Sequence, residues 1–448
     1  MSLKHIELIH EYGKMKRLEG YNEQSRGQKF NLLIADLLSS WGISARSNLR
    51  SNGEIDVAFS YKEKQFILEA KWEKNPIDTG KLSKLQKRVR QRLRGTIGIF
   101  LSMSGYSQEA MKELTAGEQS SIICFSKDHF EAMLSGFIPP DEMISLGLEK
   151  ASHEGEFFLN LDFLFGKPIN DDLDLSFGCP PEITELVLES NCGYDFNSIL
   201  YNIPDGCLGI AEESSTILLL SISQGIFRVD LEDHSITSFL NFPGYYQNPI
   251  ISQDGSVYIA RKSGVAKIKD KNISFIGGGL SGNISLSADI TEEIWAYGNG
   301  LPYDVEHDNK PYLIKLGDQL GNQSGRIAGW GNSAQIISYD SLLICRPNGV
   351  FIIQEDSEFK IVSDSDIELT NAKGPIRISD ETFLVVCNSV EIWEINIKTL
   401  KAQYLARLDL MGSAYLLAQS KEGGGYLACS YPAKENETKG IIVRIENK

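Results

Sequence analysis

The sequence predicts a multidomain protein. An N-terminal α/β unit is built on a mixed central sheet, and an all-β propeller of about six blades follows it. Three observations carry this reading. Helical and strand periodicities alternate up to about residue 155, and helical periodicity then fades. From about residue 196 a strand–turn–strand unit recurs roughly every 40 residues, the size of a propeller blade. Charge divides along the same line. Residues 1–155 hold 22 Lys and Arg against 20 Asp and Glu, and the remainder 22 against 40, so the net charge of −16 belongs to the C-terminal part.

In the N-terminal unit, residues 3 to about 18 place Ile6, Leu8, Ile9, Tyr12 and Met15 at helical spacing. A second helix is expected from Arg26 to about Trp41, with Phe30, Leu33, Ile34, Leu37 and Leu38 as its apolar stripe and Gly42 as its stop. Two β-rich runs follow, Gly53 to Phe59 and Phe66 to Trp72, around the polar turn Tyr61 to Lys64, which reads as a hairpin. Glu69 and Lys71 are two apart and so project from one face of a strand, while Asp56 lies on the partner strand. Two carboxylates and an amine then meet at one point. Such a point suits a hard divalent cation, Mg²⁺ or Mn²⁺, held by Asp56 and Glu69, with Lys71 orienting the attacking water.

Lys81 to Arg94 is expected to form a cationic amphipathic helix. Leu82, Leu85, Val89 and Leu93 make its inner stripe, and Lys81, Lys84, Lys87, Arg88, Arg90, Arg92 and Arg94 make a charged face with no acid among them. Surface helices usually interleave acids with bases, so an acid-free run points to phosphate-backbone contact. A solvated face is the plainer alternative. Thr96 to Met103 and Ser121 to Phe125 read as buried strands, and Gln108 to Leu114 and Asp128 to Leu134 as helices, the last closed by Gly136.

The blocks Arg26-Gly27, Glu54-Ile55-Asp56, Leu68-Glu69-Ala70-Lys71-Trp72, Gly95 to Gly105 and Leu134-Ser135-Gly136 resemble, in order and spacing, those of the PD-(D/E)xK restriction-endonuclease-like (Mrr-like) nucleases. The resemblance spans about residues 22–155. It implies that fold and metal-dependent phosphodiester hydrolysis, with Asp56, Glu69 and Lys71 at the catalytic positions. The family usually carries a glutamate on the first core helix, about where this sequence has Asn31. Asn31 is therefore an auxiliary candidate that brings no charge. Either Glu23 or Asp36 takes the glutamate's place, or the metal site is weakened.

Residues 156–195 read as a connector packed on one domain, because Phe157 to Phe165 is too aromatic to stay solvated. Asp171, Asp172 and Asp174 form an acidic patch, and Glu182 to Leu188 is expected as a short helix. The propeller, 196–448, shows six strand pairs, beginning at Leu218, Val257, Ile294, Leu342, Phe383 and Tyr426. The strand Ser198 to Asn202 is expected to complete the last blade and close the ring. Gly278 to Gly282 and Gly423 to Gly425 lack a following Lys-Ser/Thr and read as turns rather than phosphate loops. Asp304, Glu306, His307 and Asp308 read as a solvated loop, and the six dispersed histidines receive no role.

Seven scattered cysteines without a Cys-x-x-Cys pair argue against a disulfide framework or a zinc knuckle, and for a reducing, cytoplasmic setting. No apolar run suits a membrane span or a signal peptide. The expectation is a metal-dependent endonuclease acting on DNA, as a homodimer or larger, in prokaryotic defence. Its propeller would sense or dock a protein or small ligand. The alternative is a catalytically weakened DNA- or protein-binding scaffold.

Overall fold

The second helix of the N-terminal unit has a local cause for both of its ends. In the computed structural model, α1 spans Leu3–Arg17 and α2 spans Glu23–Ser40. Asn22 caps α2 by accepting from the Ser25 amide, and Gly42, at φ +76°, turns the chain out of it. The strand β1 (Ala45–Leu49) then leads to β2 (Ile55–Tyr61) and β3 (Lys64–Lys71). The β2–β3 hairpin turns at Lys62 and Glu63, both left-handed, and pairs Tyr61 with Lys64 and Val57 with Leu68. The chain continues through α3 (Thr79–Arg90), β4 (Ile97–Ser102), α4 (Gln108–Ala116), β5 (Ile122–Ser126), α5 (Lys127–Ser135) and α6 (Pro140–His153). The described residues are 3–49, 54–116, 121–166, 173, 175–183, 185–190, 193–204, 206–289, 291–300, 311–328, 330–338, 340–354, 357–365, 367–409, 414–421, 423–432 and 438–448. Gly53, the aspartates 171, 172 and 174, Cys192 and the loop with Asp304, Glu306, His307 and Asp308 lie outside them.

The five strands lie in the order β1-β2-β3-β4-β5. β1, β2 and β3 pair antiparallel, while β3, β4 and β5 pair parallel, so the central sheet is mixed as expected. Helices cover both faces. Leu68, Ala70, Ile99, Leu101, Ile123 and Phe125 pack toward α1, α2, α5 and α6. Ile67, Phe100, Ile122 and Cys124 pack toward α3 and α4.

Three elements differ from the expectation. β1 is polar in sequence because it is an edge strand, and its pairing with β2 makes it a strand. α6 follows a Pro-Pro pair that looks like a break. Pro140 instead occupies the first helical turn, where a missing N–H costs nothing, with Asp141 and Glu142 beside it facing the helix dipole. The cationic helix stops at Arg90 rather than Arg94, so Leu93 lies outside its apolar stripe and is 84% exposed.

Six blades follow, each with a core of four antiparallel strands, and the fifth and sixth carry further strands. All six expected strand pairs are present, as the two middle strands of each blade, for example Ile217–Ile222 with Gly225–Asp230 and Thr382–Cys387 with Glu391–Asn396. The ring closes as the sequence predicts: β8 (Tyr194–Ile203) pairs with the C-terminal strand Thr438–Asn447 as the outer strand of the sixth blade. The connector contributes further strands. β6 (Ser176–Phe177) extends the sixth blade and β7 (Val187–Ser190) extends the fifth, so the short helix expected at Glu182 to Leu188 does not form among the described residues, and its end enters β7. β7 covers the Ala406–Leu408 end of the strand Lys401–Leu408, whose other end pairs parallel with Val362–Ser363. The six innermost strands surround a central channel of about 1190 Å³. No helix among the described residues is long and apolar enough to cross a membrane.

The two units share one hydrophobic core. Residues of α1, α2, α5 and the five-stranded sheet are continuous with Leu240, Phe242, Tyr246, Ile259 and Phe275 of the first two blades. Arg261 of the second blade, 4% exposed, reaches Glu142 of α6 through its two terminal guanidinium nitrogens, Nη1 and Nη2, at 2.9 and 2.6 Å. It also donates to the Phe137 and Pro243 carbonyls and lies over the Phe242 ring. The Gly278-Gly279 pair, read as a turn, has a second cause. A Cβ on Gly278 would collide with the Ser135 carbonyl oxygen, and one on Gly279 would stand 2.7 Å from Ile6. The propeller backbone comes that close to the N-terminal unit.

Candidate active site

The hairpin brings Asp56, Glu69 and Lys71 to one point. The Lys71 Nζ lies 2.8 Å from Glu69 Oε1 and 3.6 Å from Asp56 Oδ2. Both carboxylates are largely sheltered, 13% exposed for Asp56 and 15% for Glu69. Asp56 is held from two sides: Asn31 Nδ2 donates to its Oδ1 at 3.1 Å, and the Ala70 amide donates to its Oδ2 at 2.9 Å. Asn31 is itself buried and also donates to Asn48, which sits in β1 with left-handed backbone. The side chain on the first core helix thus orients Asp56 and brings no charge. Glu23 lies away from this point, 66% exposed and paired with Lys74, and Asp36 is exposed on α2.

Burial pulls the Lys71 ammonium toward neutrality, but the charges of Asp56 and Glu69 outweigh it and hold its pKa above the ordinary lysine value. Lys71 is therefore a fixed cation in this state. The end of β3 is anchored just beyond it. Trp72 packs edge-on against Phe30 and beside Tyr12, and Arg26 stacks over its ring while donating to its carbonyl. This explains the arginine of the Arg26-Gly27 block, while Gly27 meets no steric demand, with nothing within 4 Å of its Cβ position.

The cationic residues separate into groups. Glu69 shares strand parity with Ile67, on the α3 side of the sheet, and Arg88 of α3 ion-pairs with its second oxygen. Lys81 pairs with Glu73. Lys84, Lys87, Arg90 and Arg94 are exposed, and Arg92 is half-buried beyond the helix end. The run is acid-free in sequence only, because β3 and its sequel supply acids to two of its members. The Arg88–Glu69 pair was missed by sequence reading. Its only trace was the parity of Glu69 with an apolar residue facing α3.

The pair of carboxylates fits a divalent cation. Both face the one position that a cationic Nζ now approaches, and two carboxylates with waters and a substrate phosphate suffice for Mg²⁺. Among the described residues no group of three or more His, Cys, Asp or Glu side chains could hold a metal. Buried histidines do structural work. His5 bonds to the Leu134 carbonyl, and His129 bonds to the Leu159 carbonyl and caps α5 through the Ser126 amide. Cys124, Cys207, Cys345, Cys387 and Cys429 are buried thiols, and Cys179 is an exposed one.

The Mrr_cat family model, described as restriction endonuclease, matches residues 23–134, which span α2 to nearly the end of α5. No curated protein matches the chain. Among solved structures, a streptogramin B lyase is similar over 57% of this chain and 98% of its own, at TM-score 0.40 and 12% identity. A gluconolactonase from Xanthomonas campestris is similar over 60% and 98%, at TM-score 0.43 and 8% identity. The WD40 β-propeller domain of Doa1 is similar over 61% and 97%, at TM-score 0.36 and 10% identity. By this match residues 23–134 form a restriction-endonuclease-like domain, joined to a six-bladed β-propeller.

Proposed function

We propose that the chain is a Mg²⁺- or Mn²⁺-dependent endonuclease that hydrolyses DNA phosphodiester bonds with Asp56, Glu69 and Lys71. The convergence of these three side chains inside the matched domain carries the reading. A divalent ion held by Asp56 and Glu69 would offset charge on the scissile phosphate and acidify a water. Asn31 and the Ala70 amide keep Asp56 in place for that ion. Lys71, kept charged by its neighbours, holds the attacking water and a phosphate oxygen by hydrogen bonds. Exposed Lys84, Lys87 and Arg90 follow the phosphate backbone, which sets affinity but reads no bases, so sequence preference is weak. Severing both strands calls for two such sites, hence a dimer.

The propeller, which carries most of the chain's acidity, is the docking or sensing module for a protein or small ligand. Its shared core with the nuclease domain makes it a rigid platform rather than a tethered one. A nuclease so arranged suits defence against foreign DNA in a prokaryotic cytoplasm.

The test incubates supercoiled plasmid, linear duplex, single-stranded DNA and RNA with the full chain and Mg²⁺ or Mn²⁺, beside Asp56→Ala and Lys71→Ala. Cleavage of DNA is expected from the wild type, and each variant should be slower by about 10²-fold or more. Intact substrates throughout, with wild type and variants alike, would instead favour the weakened scaffold.

A further inference from the structure

Glu69 has no free oxygen: Lys71 holds Oε1 and Arg88 holds Oε2. Asp56 is engaged by Asn31, the Ala70 amide and Lys71. Two carboxylates and two cations balance, and the cluster is locally neutral without a metal. A divalent ion entering here would leave two surplus positive charges in a half-buried site, where like charges repel strongly. One cation has to leave. Lys71 sits between both carboxylates on the strand itself, whereas Arg88 approaches from α3 and, among the described residues, pairs with Glu69 alone.

Arg88 is also free to move without disturbing the fold. Leu82, Leu85 and Val89 bury the inner face of α3, and Asp78 caps its start, so the helix stays while a 32% exposed guanidinium swings. The same helix presents Lys84, Lys87 and Arg90 outward. A nucleic-acid backbone drawn to them brings phosphates close to Arg88, and guanidinium pairs with phosphate as readily as with carboxylate.

We propose that Arg88 closes the metal site by pairing with Glu69 and opens it by transferring to a backbone phosphate, so that divalent cation and nucleic acid bind with positive coupling. Arg88 is then a positioning residue that keeps the site from loading metal until substrate arrives. The coupling is reciprocal, as any equilibrium linkage must be. This rests on the nuclease reading of Asp56 and Glu69.

The experiment measures Mn²⁺ affinity of the full chain by calorimetry and by electron paramagnetic resonance. It is done with and without a short phosphorothioate duplex that resists hydrolysis, on wild type, Arg88→Ala, Arg88→Gln and Asp56→Ala. The duplex should tighten Mn²⁺ binding by wild type about tenfold, a typical coupling. Without duplex, Arg88→Ala and Arg88→Gln should bind Mn²⁺ tighter than wild type by a similar factor, and the duplex should then add little. A merely structural arginine would weaken binding when removed, so unchanged or weaker affinity in both variants overturns the proposal. If that occurs while Asp56→Ala abolishes binding, the metal-site reading stands and only the gate falls. If no form binds Mn²⁺ even with duplex, or Asp56→Ala binds like wild type, the metal-site reading fails and takes the gate with it.

Discussion

Replacing Arg261 with Met tests whether the propeller and the nuclease domain are one body. The change keeps the aliphatic stem over Phe242 and removes the guanidinium that joins Glu142, Phe137 and Pro243. Breaking a buried pair by deleting one partner costs about 3–5 kcal/mol. Arg261 is 4% exposed but the Glu142 side chain is 28% exposed, so the stranded carboxylate regains some water. That places the expected loss at the low end, about 3 kcal/mol. Contacting charges of this kind couple, so Glu142→Gln combined with Arg261→Met should give a double-mutant coupling of about 2 kcal/mol. The assay is urea unfolding of the full chain, followed by tryptophan fluorescence and by proteolysis of the connector. Wild type should lose both units in one transition because they share a core. Arg261→Met should move the midpoint down and separate the two signals. A shift below about 1 kcal/mol, or additive single mutants, would show that the pair does not join the domains.

Acid should loosen the N-terminal unit through two histidines. Burial pushes both His5 and His129 from the usual 6.5 down to about 4, against weaker support from the carbonyls they bond. These are bases with lowered pKa, so on acidification the unfolded chain takes up protons first. Their contribution is full above pH 6.5 and is lost as pH falls from there toward about 4. At about pH 5.5 each costs about 1.4 kcal/mol, and His129→Gln should remove roughly half of the pH dependence between pH 7.5 and 5.5 in urea midpoints. An unchanged dependence would remove His129 from the account. Two glycine substitutions should act in opposite directions in thermal melts. At Gly27 a Cβ meets nothing, so Gly27→Ala should stabilise α2 by about 0.5–1 kcal/mol. At Gly13 a Cβ would stand 2.5 Å from the Gly321 oxygen of the third blade, where backbone cannot yield cheaply. Overpacking costs about 1–3 kcal/mol there and exceeds the helical gain, so Gly13→Ala should destabilise. Equal shifts for both would refute the close approach of α1 to the propeller.

The middle strands of the first, second, fourth and fifth blades were readable because a strand, its turn and its neighbour lie within about 15 residues; those of the third and sixth stand farther apart but keep the same apolar-then-alternating pattern. Ring closure was readable because one strand was missing at the end and one spare at the start. α6 and β1 were not. The first hides behind Pro139-Pro140, and the second lacks an apolar pattern because its outer edge is unpaired. The short helix expected at Glu182 to Leu188 does not form because its C-terminal end, from Val187, pairs with the sheet edge at Ala406–Leu408, and local propensity yields to that pairing.

The amino-acid sequence by itself determined the hairpin and therefore the meeting of Asp56, Glu69 and Lys71, since parity and a two-residue turn specify it locally. Tertiary structure alone decided what surrounds it. Asn31 reaches Asp56 across 25 residues, Arg88 reaches Glu69 across 19, and Arg261 reaches Glu142 across 119. No periodicity encodes such pairings. They arise when whole elements pack, and they set both the ion pairing of the candidate site and the seat of the restriction-endonuclease-like domain on its propeller.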